Sequence, residues 1–377
     1  MAMELDQVFV VGESPDEALG GAHQKMDAAR ATGDERGRAL CLVKAAEALV
    51  MMDQPDQAMG YLAEAQGTCT EMKFEEGRAA CMNVSAKVCA KKASDEEGLE
   101  EAMDSATDAL KLFRKLGFRK GEAAALVTLS TVYVAMKKAA PAIKSAKEAL
   151  AVFAELGEKR AMAETYDAVK SAYLIKQPAE TFLASKQVQK AMALYSELGD
   201  KSKEAACMHT AAVIEQADVK KAADFLHKAK ELFAEAGDSR GQGMVLETIM
   251  TILIDNGLFE QAVKVGKDRA SLFHNAGDIG EEARAMIKLG DVFMKGDAYA
   301  RAEKAGEVAM ALFASVNDME GLKSAKELVD GAKHSKAAEE IETSITKCSS
   351  SMHVPKFLVV DPGLNKRVTG AFGSAMM

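Results

Sequence analysis

Small, large and charged residues follow one another along this chain in steps of three and four, the stepping of one face of an α-helix. The pattern restarts about every forty residues. Each restart carries a related segment: TGDERGRA, MKFEEGRA, LGFRKGEA, LGEKRAMA, LGDKSKEA, AGDSRGQG, AGDIGEEA and VNDMEGLK. Their second residues, Gly33, Lys73, Gly117, Gly157, Gly199, Gly237, Gly277 and Asn317, are spaced by 40, 44, 40, 42, 38, 40 and 40 positions. Self-similarity at a fixed period of this length is the mark of a stacked repeat.

Within each unit the apolar positions keep register with the anchor. Six residues on comes a small side chain, as at Ala39, Ala79 and Ala123; nine on comes a large one, as at Leu42, Met82 and Leu126. Twelve and sixteen on follow Leu129 and Tyr133 or their counterparts, so the spacing predicts a first helix. Glu215 breaks the last of these positions, and Ile214 beside it is the expected substitute. A second helix ends with an aromatic four residues before the next anchor: Phe113, Phe153, Tyr195, Phe233, Phe273 and Phe313. Breakers separate the two helices, and Pro55, Pro141 and Pro178 fit the first turn of the second, where a missing N–H costs little. The anchor itself fits the position just past a helix end, where left-handed backbone favours Gly or Asn.

At the N-terminus, Ser14-Pro15-Asp16-Glu17 reads as a capping box that opens a lone helix to about residue 30. The resulting organisation is an extension at 1–13 and a helical array at 14–348, followed by a non-repeat tail at 349–377. The array divides into a capping helix at 14–31, about seven regular pairs at 33–316 and an imperfect pair at 317–348, where the apolar positions slip to Leu322, Ala325 and Leu328. Terminal repeats with a polar outer face behave this way.

Composition agrees with an all-helical chain: aromatics are 5%, Trp is absent, and the hydrophobic fraction of 48% is rich in Ala, Leu and Met. The net charge of −9 gives no support for nucleic-acid binding, which needs clustered Lys and Arg. The tail is the exception, with Lys356, Lys366 and Arg367 against Asp361. Six cysteines form no C-x-x-C pair and no metal-ligand spacing with the six histidines, so reduced, packed thiols are expected. No apolar run approaches the length of a membrane span, and a cytoplasmic protein is expected.

The pattern of small, large, Tyr and hairpin positions resembles the tetratricopeptide repeat. It is clearest at 126–150, where Leu126, Leu129, Ser130, Tyr133, Ala142 and Ala149 match the family's signature positions. The unit is longer than the family's standard of about 34 residues. It is closer to the longer variants of spindle-orienting G-protein regulators, kinesin light chains and bacterial signalling regulators. The resemblance implies a right-handed α-solenoid superhelix of antiparallel helix pairs, with the first helices lining a concave groove.

In such arrays the inner face falls seven, ten, fourteen and seventeen residues after the anchor. Those offsets hold Asn83, Lys87, Thr131, Glu164, Asp167, Ser171, His209, Glu247, Arg284 and Asp291 as the candidate partner-binding residues. The middle of the groove reads as acidic, which points to a basic peptide or protein ligand. Met244 and Met294 are also expected there, whereas Met82, Met208 and Met286 are core filler.

One stretch imitates catalysis. Gly237-Asp238-Ser239-Arg240-Gly241 satisfies the G-x-S-x-G pattern, but a nucleophile elbow needs a preceding strand, and KAKELFAEAG before it is helical. Ser239 is therefore expected to start a helix, and no catalytic residue, cofactor or metal is assigned. A non-catalytic scaffold or adaptor is the expectation. The alternatives are a structural subunit of a larger assembly and a regulator of a signalling enzyme. The only β-like runs, QVFVVG at 7–12 and KFLVVD at 356–361, lie at the ends. The basic tail at 349–377 is a candidate to dock in the acidic groove of its own or a neighbouring chain.

Overall fold

The computed structural model of the protein describes residues 4–8, 14–176, 178–215 and 218–351. Among these residues the chain is all-α, with one short 3-10 turn at Leu5–Gln7 and no strand. The helices are α1 (Pro15–Thr32), α2 (Glu35–Met51), α3 (Pro55–Glu71), α4 (Glu75–Lys92), α5 (Glu96–Leu116), α6 (Arg119–Ala135), α7 (Ala139–Leu156) and α8 (Lys159–Leu174). They continue as α9 (Thr181–Glu197), α10 (Lys201–Ile214), α11 (Val219–Glu235), α12 (Ser239–Asp255), α13 (Phe259–Ala276), α14 (Ile279–Lys295), α15 (Tyr299–Ser315) and α16 (Met319–Ser351).

Contacts divide the chain into two compact units, Met1–Val245 and Leu246–Met377, with the boundary inside α12. In the first, α1 packs on α2 and five antiparallel pairs follow, from α2 with α3 to α10 with α11. In the second, α13 packs on α14, α14 on α15, and α15 on α16. Both are stacks of helix pairs, the helical-solenoid arrangement.

The turns explain the anchor residues. Gly33, Gly117, Gly157, Gly199, Gly237 and Gly277 all have φ near +70°. Asn317 takes the same place at +56° and Lys73 at +52°, a conformation that is strained for a side chain with a Cβ. One residue later an aspartate caps the new helix. Asp34, Asp200, Asp238, Asp278 and Asp318 accept from the backbone N–H of Gly37, Lys203, Gly241, Glu281 and Gly321. Such a cap is worth about 1 kcal/mol.

Two of these caps are also held from the preceding pair. Arg160 at the start of α8 donates to Asp200 at 2.6 Å, and Ser202 at the start of α10 donates to Asp238 at 2.7 Å. Salt bridges join the two ends of single pairs: Arg119 to Glu155, Lys159 to Glu197 and Lys201 to Glu235. These lie at the exposed surface and each contributes little.

The core is built from small residues facing aromatics. Phe113, Tyr195, Phe233, Phe273 and Phe313 are at most 2% exposed, against alanines such as Ala109, Ala229 and Ala309 at 0%. Burying each ring stabilises the stack by about 1.5–3 kcal/mol. The rings reach this depth because the next first helix offers bare backbone. A Cβ built on Gly121, Gly241 or Gly321 would collide with Phe113, Phe233 or Phe313. That glycine, four residues after the anchor, is a second close-packing position the periodicity alone does not reveal.

Four sequence expectations meet a definite outcome. Ser14 forms the full capping box, accepting from the Glu17 N–H while the Glu17 carboxylate accepts from its own N–H. Glu215 ends α10, leaving Ile214 to pack against the neighbouring core, as expected. Pro178 is not in the first turn of a second helix; α9 begins at Thr181, with Glu180 as its cap. The expected C-terminal pair at 317–348 is a single helix, α16, because AKHSKAAEEIETSITK holds no proline or turn-forming pair to break it.

The N-terminal β-like run also differs where it is described. Gln7 closes the 3-10 turn and accepts from Lys25 at 2.8 Å, while Val8 is wholly buried in the core. The rest of that run, and KFLVVD at 356–361, lie outside the described residues. Among the described residues no helix is long and apolar enough to cross a membrane.

Candidate functional site

The first helices α2, α4, α6 and α8 of the first unit touch one another in series. Asn83 and Lys87 are one turn apart on α4, so both belong to the same face. Asn83 is fully buried, and neither its amide nitrogen nor its amide oxygen has a hydrogen-bond partner. An unsatisfied buried polar group costs roughly 1–3 kcal/mol, so this amide is an expensive feature to keep.

Lys87 crosses to α2, where its ammonium pairs with the buried carboxylate of Glu47. Glu164 on α8 belongs to the same neighbourhood. Burial raises its carboxyl to about 7, opposed by Lys203, Arg160 and Lys87 and assisted by the negative charge of Glu47. Asn83, Lys87 and Glu164 are thus brought into one region with Glu47, which the sequence reading passed over. Glu47 lies fourteen residues after Gly33, the same offset that Lys87 has from Lys73, so its signal was present.

The remaining inner-face candidates of this unit are placed less favourably. Thr131 is exposed and spends its hydroxyl on the Val127 carbonyl of its own helix. Asp167 is exposed and paired with Lys170 at 2.9 Å, while the Ser171 hydroxyl donates to the Asp167 carbonyl. His209 is half-buried, and burial lowers the pKa of its imidazole.

In the second unit, Glu247 takes ion pairs from Arg269 at 3.0 Å and Lys288 at 3.3 Å. Arg269 also stacks its guanidinium over Phe273, 5.3 Å from the ring centre. Arg284 bonds Glu281 at 2.8 Å and reaches Asp318 at 3.7 Å. Asp291 lies between Lys288 and Lys295 in charge terms, and they offset part of the desolvation that raises its carboxyl. Met244 is exposed and Met294 packs against the core of this unit.

The carboxylates at the inner offsets have cationic neighbours within each unit. Glu47 and Asp167 in the first and Glu247 in the second each face a cation, and burial raises the Glu164 carboxyl to about 7, so that it is about half neutral at pH 7. Counting only the inner offsets missed Lys170, Lys203 and Lys288, which approach from neighbouring positions. The docking of tail 349–377 concerns residues that are almost all outside the described ones.

Ser239 is the first residue of α12, following a left-handed Gly237 and the capping Asp238. The element before it is helix α11. The stretch has the geometry of a repeat turn.

No protein-family model and no curated protein matches this sequence. Solved structures do share its fold. The apo form of RapI is 14% identical with a TM-score of 0.53, over 86% of this chain and 99% of that one. A Rap protein complexed with competence and sporulation factor is 13% identical with a TM-score of 0.52, over 85% of this chain and 95% of that one. At such identity the likeness is one of fold, and the fold is tetratricopeptide-like.

Proposed function

We propose that this chain is a non-catalytic interaction scaffold or adaptor, acting in the cytoplasm, that holds a peptide or protein partner on its first helices. The observation that carries this reading is the run of first helices α2, α4, α6 and α8 in contact in series, which brings Lys87, Glu47 and Glu164 into one polar region. Two further observations support it. The fold is shared with a Rap protein solved in complex with competence and sporulation factor. Cys41, Cys69, Cys81, Cys89 and Cys207 are free thiols, in keeping with a reducing compartment.

The partner need not be basic, since the inner carboxylates already have cationic neighbours.

Affinity capture with the full chain tests this reading against Thr131→Arg combined with Asp167→Arg, at two exposed positions of the first helices α6 and α8. Loss of the captured partner in that variant, with unfolding behaviour preserved, supports the proposal. Retention of every partner at unchanged strength removes these first helices from the binding face.

A further inference from the structure

The inner face of the first unit is not open along its whole length. At offsets seven, ten, fourteen and seventeen from the anchor, α2 holds Leu40, Val43, Glu47 and Val50, all at most 5% exposed. On α4, Ala80 and Asn83 at the first two of these offsets are fully buried, while Lys87 and Ala90 keep partial exposure. On α6 and α8 the same face reaches solvent at Thr131, Asp167 and Leu174. Burial therefore declines away from the N-terminus. The first helix at the end of an array has one neighbour fewer than the others, so the opposite gradient is expected. Three of the four α2 side chains are aliphatic, where α8 has Glu164, Asp167 and Ser171. A contiguous apolar face of this kind calls for a cover.

The N-terminal segment packs on the same cluster. Val8 is wholly buried in the apolar cluster that contains Leu40, Val43 and Val50 of α2 and Ala80 of α4, and Leu5 packs against that cluster. Between them, Gln7 accepts from Lys25 at 2.8 Å, well inside α1, so these residues lie beside α1 and not ahead of its start. Burial raises the Cys41 thiol of α2 and Lys25 opposes that rise, which puts the Lys25 ammonium close to α2 as well. Few bonds hold the segment in place. Among the described residues its one side-chain hydrogen bond is that of Gln7, and its backbone bonds are local, from Gln7 to Glu4 and from Val8 to Leu5. Segments with so few ties open at low cost.

We propose that residues 4–8 are a displaceable occupant of the inner face, covering α2 and the start of α4, and that the covered face accepts a short peptide segment with two aliphatic side chains three residues apart. Leu5 and Val8 supply that pair in cis. A partner of the same chemistry competes with the chain's own N-terminus, whereas the face from α6 onward is open to it from the start. Its apparent affinity is then lowered by the fraction of molecules in which the segment is in place. A tethered occupant competes at an effective concentration on the order of 1 mM when its linker is short, so the effect is large. The inference rests on the reading of the first helices as a partner face, but its test needs no partner.

The probe is a fluorescent peptide with the sequence of residues 1–13, titrated against the full chain and against the full chain carrying Leu5→Asp and Val8→Asp. The expected result is saturable binding to the variant and binding to the parent weaker by about tenfold or more. A peptide carrying the same two substitutions is expected to bind neither. Hydrogen exchange is expected to show the bound peptide protecting α2 and α4. Thermal unfolding verifies that the variant is folded. Val8→Ala, a milder change, is expected to shift the titration in the same direction and keeps the test available if the aspartates disturb the first repeat. Equal binding to parent and variant overturns the proposal, as does no binding to any chain, or protection that falls outside α2 and α4. Peptide binding as expected, with capture untouched by Thr131→Arg and Asp167→Arg, separates the two readings: it supports the occupant and removes the partner face.

Discussion

Lys87 of α4 reaches across to Glu47 of α2 and closes an ion pair whose carboxylate end is only 6% exposed. The pair ties two first helices of successive repeats, and Lys87 also acts on the charge of Glu164 on α8. Lys87→Met leaves the carboxylate without this partner, and we expect a loss of about 2 kcal/mol in urea unfolding. Adding Glu47→Gln should recover most of that loss, because the buried charge is then gone as well. A double-mutant cycle measures the coupling.

Asn83 predicts the opposite sign. Replacing an unsatisfied buried amide by an apolar group removes a desolvation cost, so Asn83→Val, closer to Asn in volume than Leu is, should raise stability by about 1 kcal/mol. Denaturant unfolding checks the sign and the size.

The repeat turns yield a matched pair of substitutions. Lys73 has φ +52°, where glycine carries no Cβ penalty, so Lys73→Gly should stabilise by about 1 kcal/mol. Gly237 has φ +70° with open space around its α-carbon, so Gly237→Ala should cost about the same through backbone strain alone. Ser239→Ala, at the first residue of α12, should change stability by no more than about 0.5 kcal/mol. Thermal unfolding of the three variants ranks them.

Glu164 makes stability depend on pH. Its carboxyl ionises near 4.5 ordinarily and at about 7 in the folded chain. The unfolded state therefore releases its proton first, and the folded state is weakened as pH rises from the lower value to the higher. Glu164→Gln cannot ionise and escapes that loss. It should melt above the parent chain at pH 8, with the gap narrowing toward pH 5, and calorimetry at both values settles the sign.

Much of the fold was legible because each repeat restates the same rule. Gly33, Ala39 and Leu42 say little alone, but their counterparts at six further registers exclude coincidence. The aromatic positions were legible for the same reason, whereas the glycines beneath them were not. Gly121 and Gly241 look like ordinary helix-start residues until Phe113 and Phe233 are seen lying over them. The C-terminal element was misread because Leu322 and Ala325 keep a helical beat that does not reveal whether one helix or two will follow. The site was legible only as a set of offsets. Offsets identified Asn83 and Lys87, but charge balance depends on neighbours such as Lys170 and Lys203, which arrive from other registers. Burial, which changes what Glu164 can do, has no signature in a repeat alignment at all.

The doubly held caps have a consequence for how the chain is made. Asp200 accepts from Arg160, and Asp238 from Ser202, each donor lying earlier in the chain than the cap it holds. A polypeptide leaving the ribosome N-terminus first thus presents each new helix start to a donor that has already emerged. At these two joints the finished repeat is the mould for the opening turn of the next.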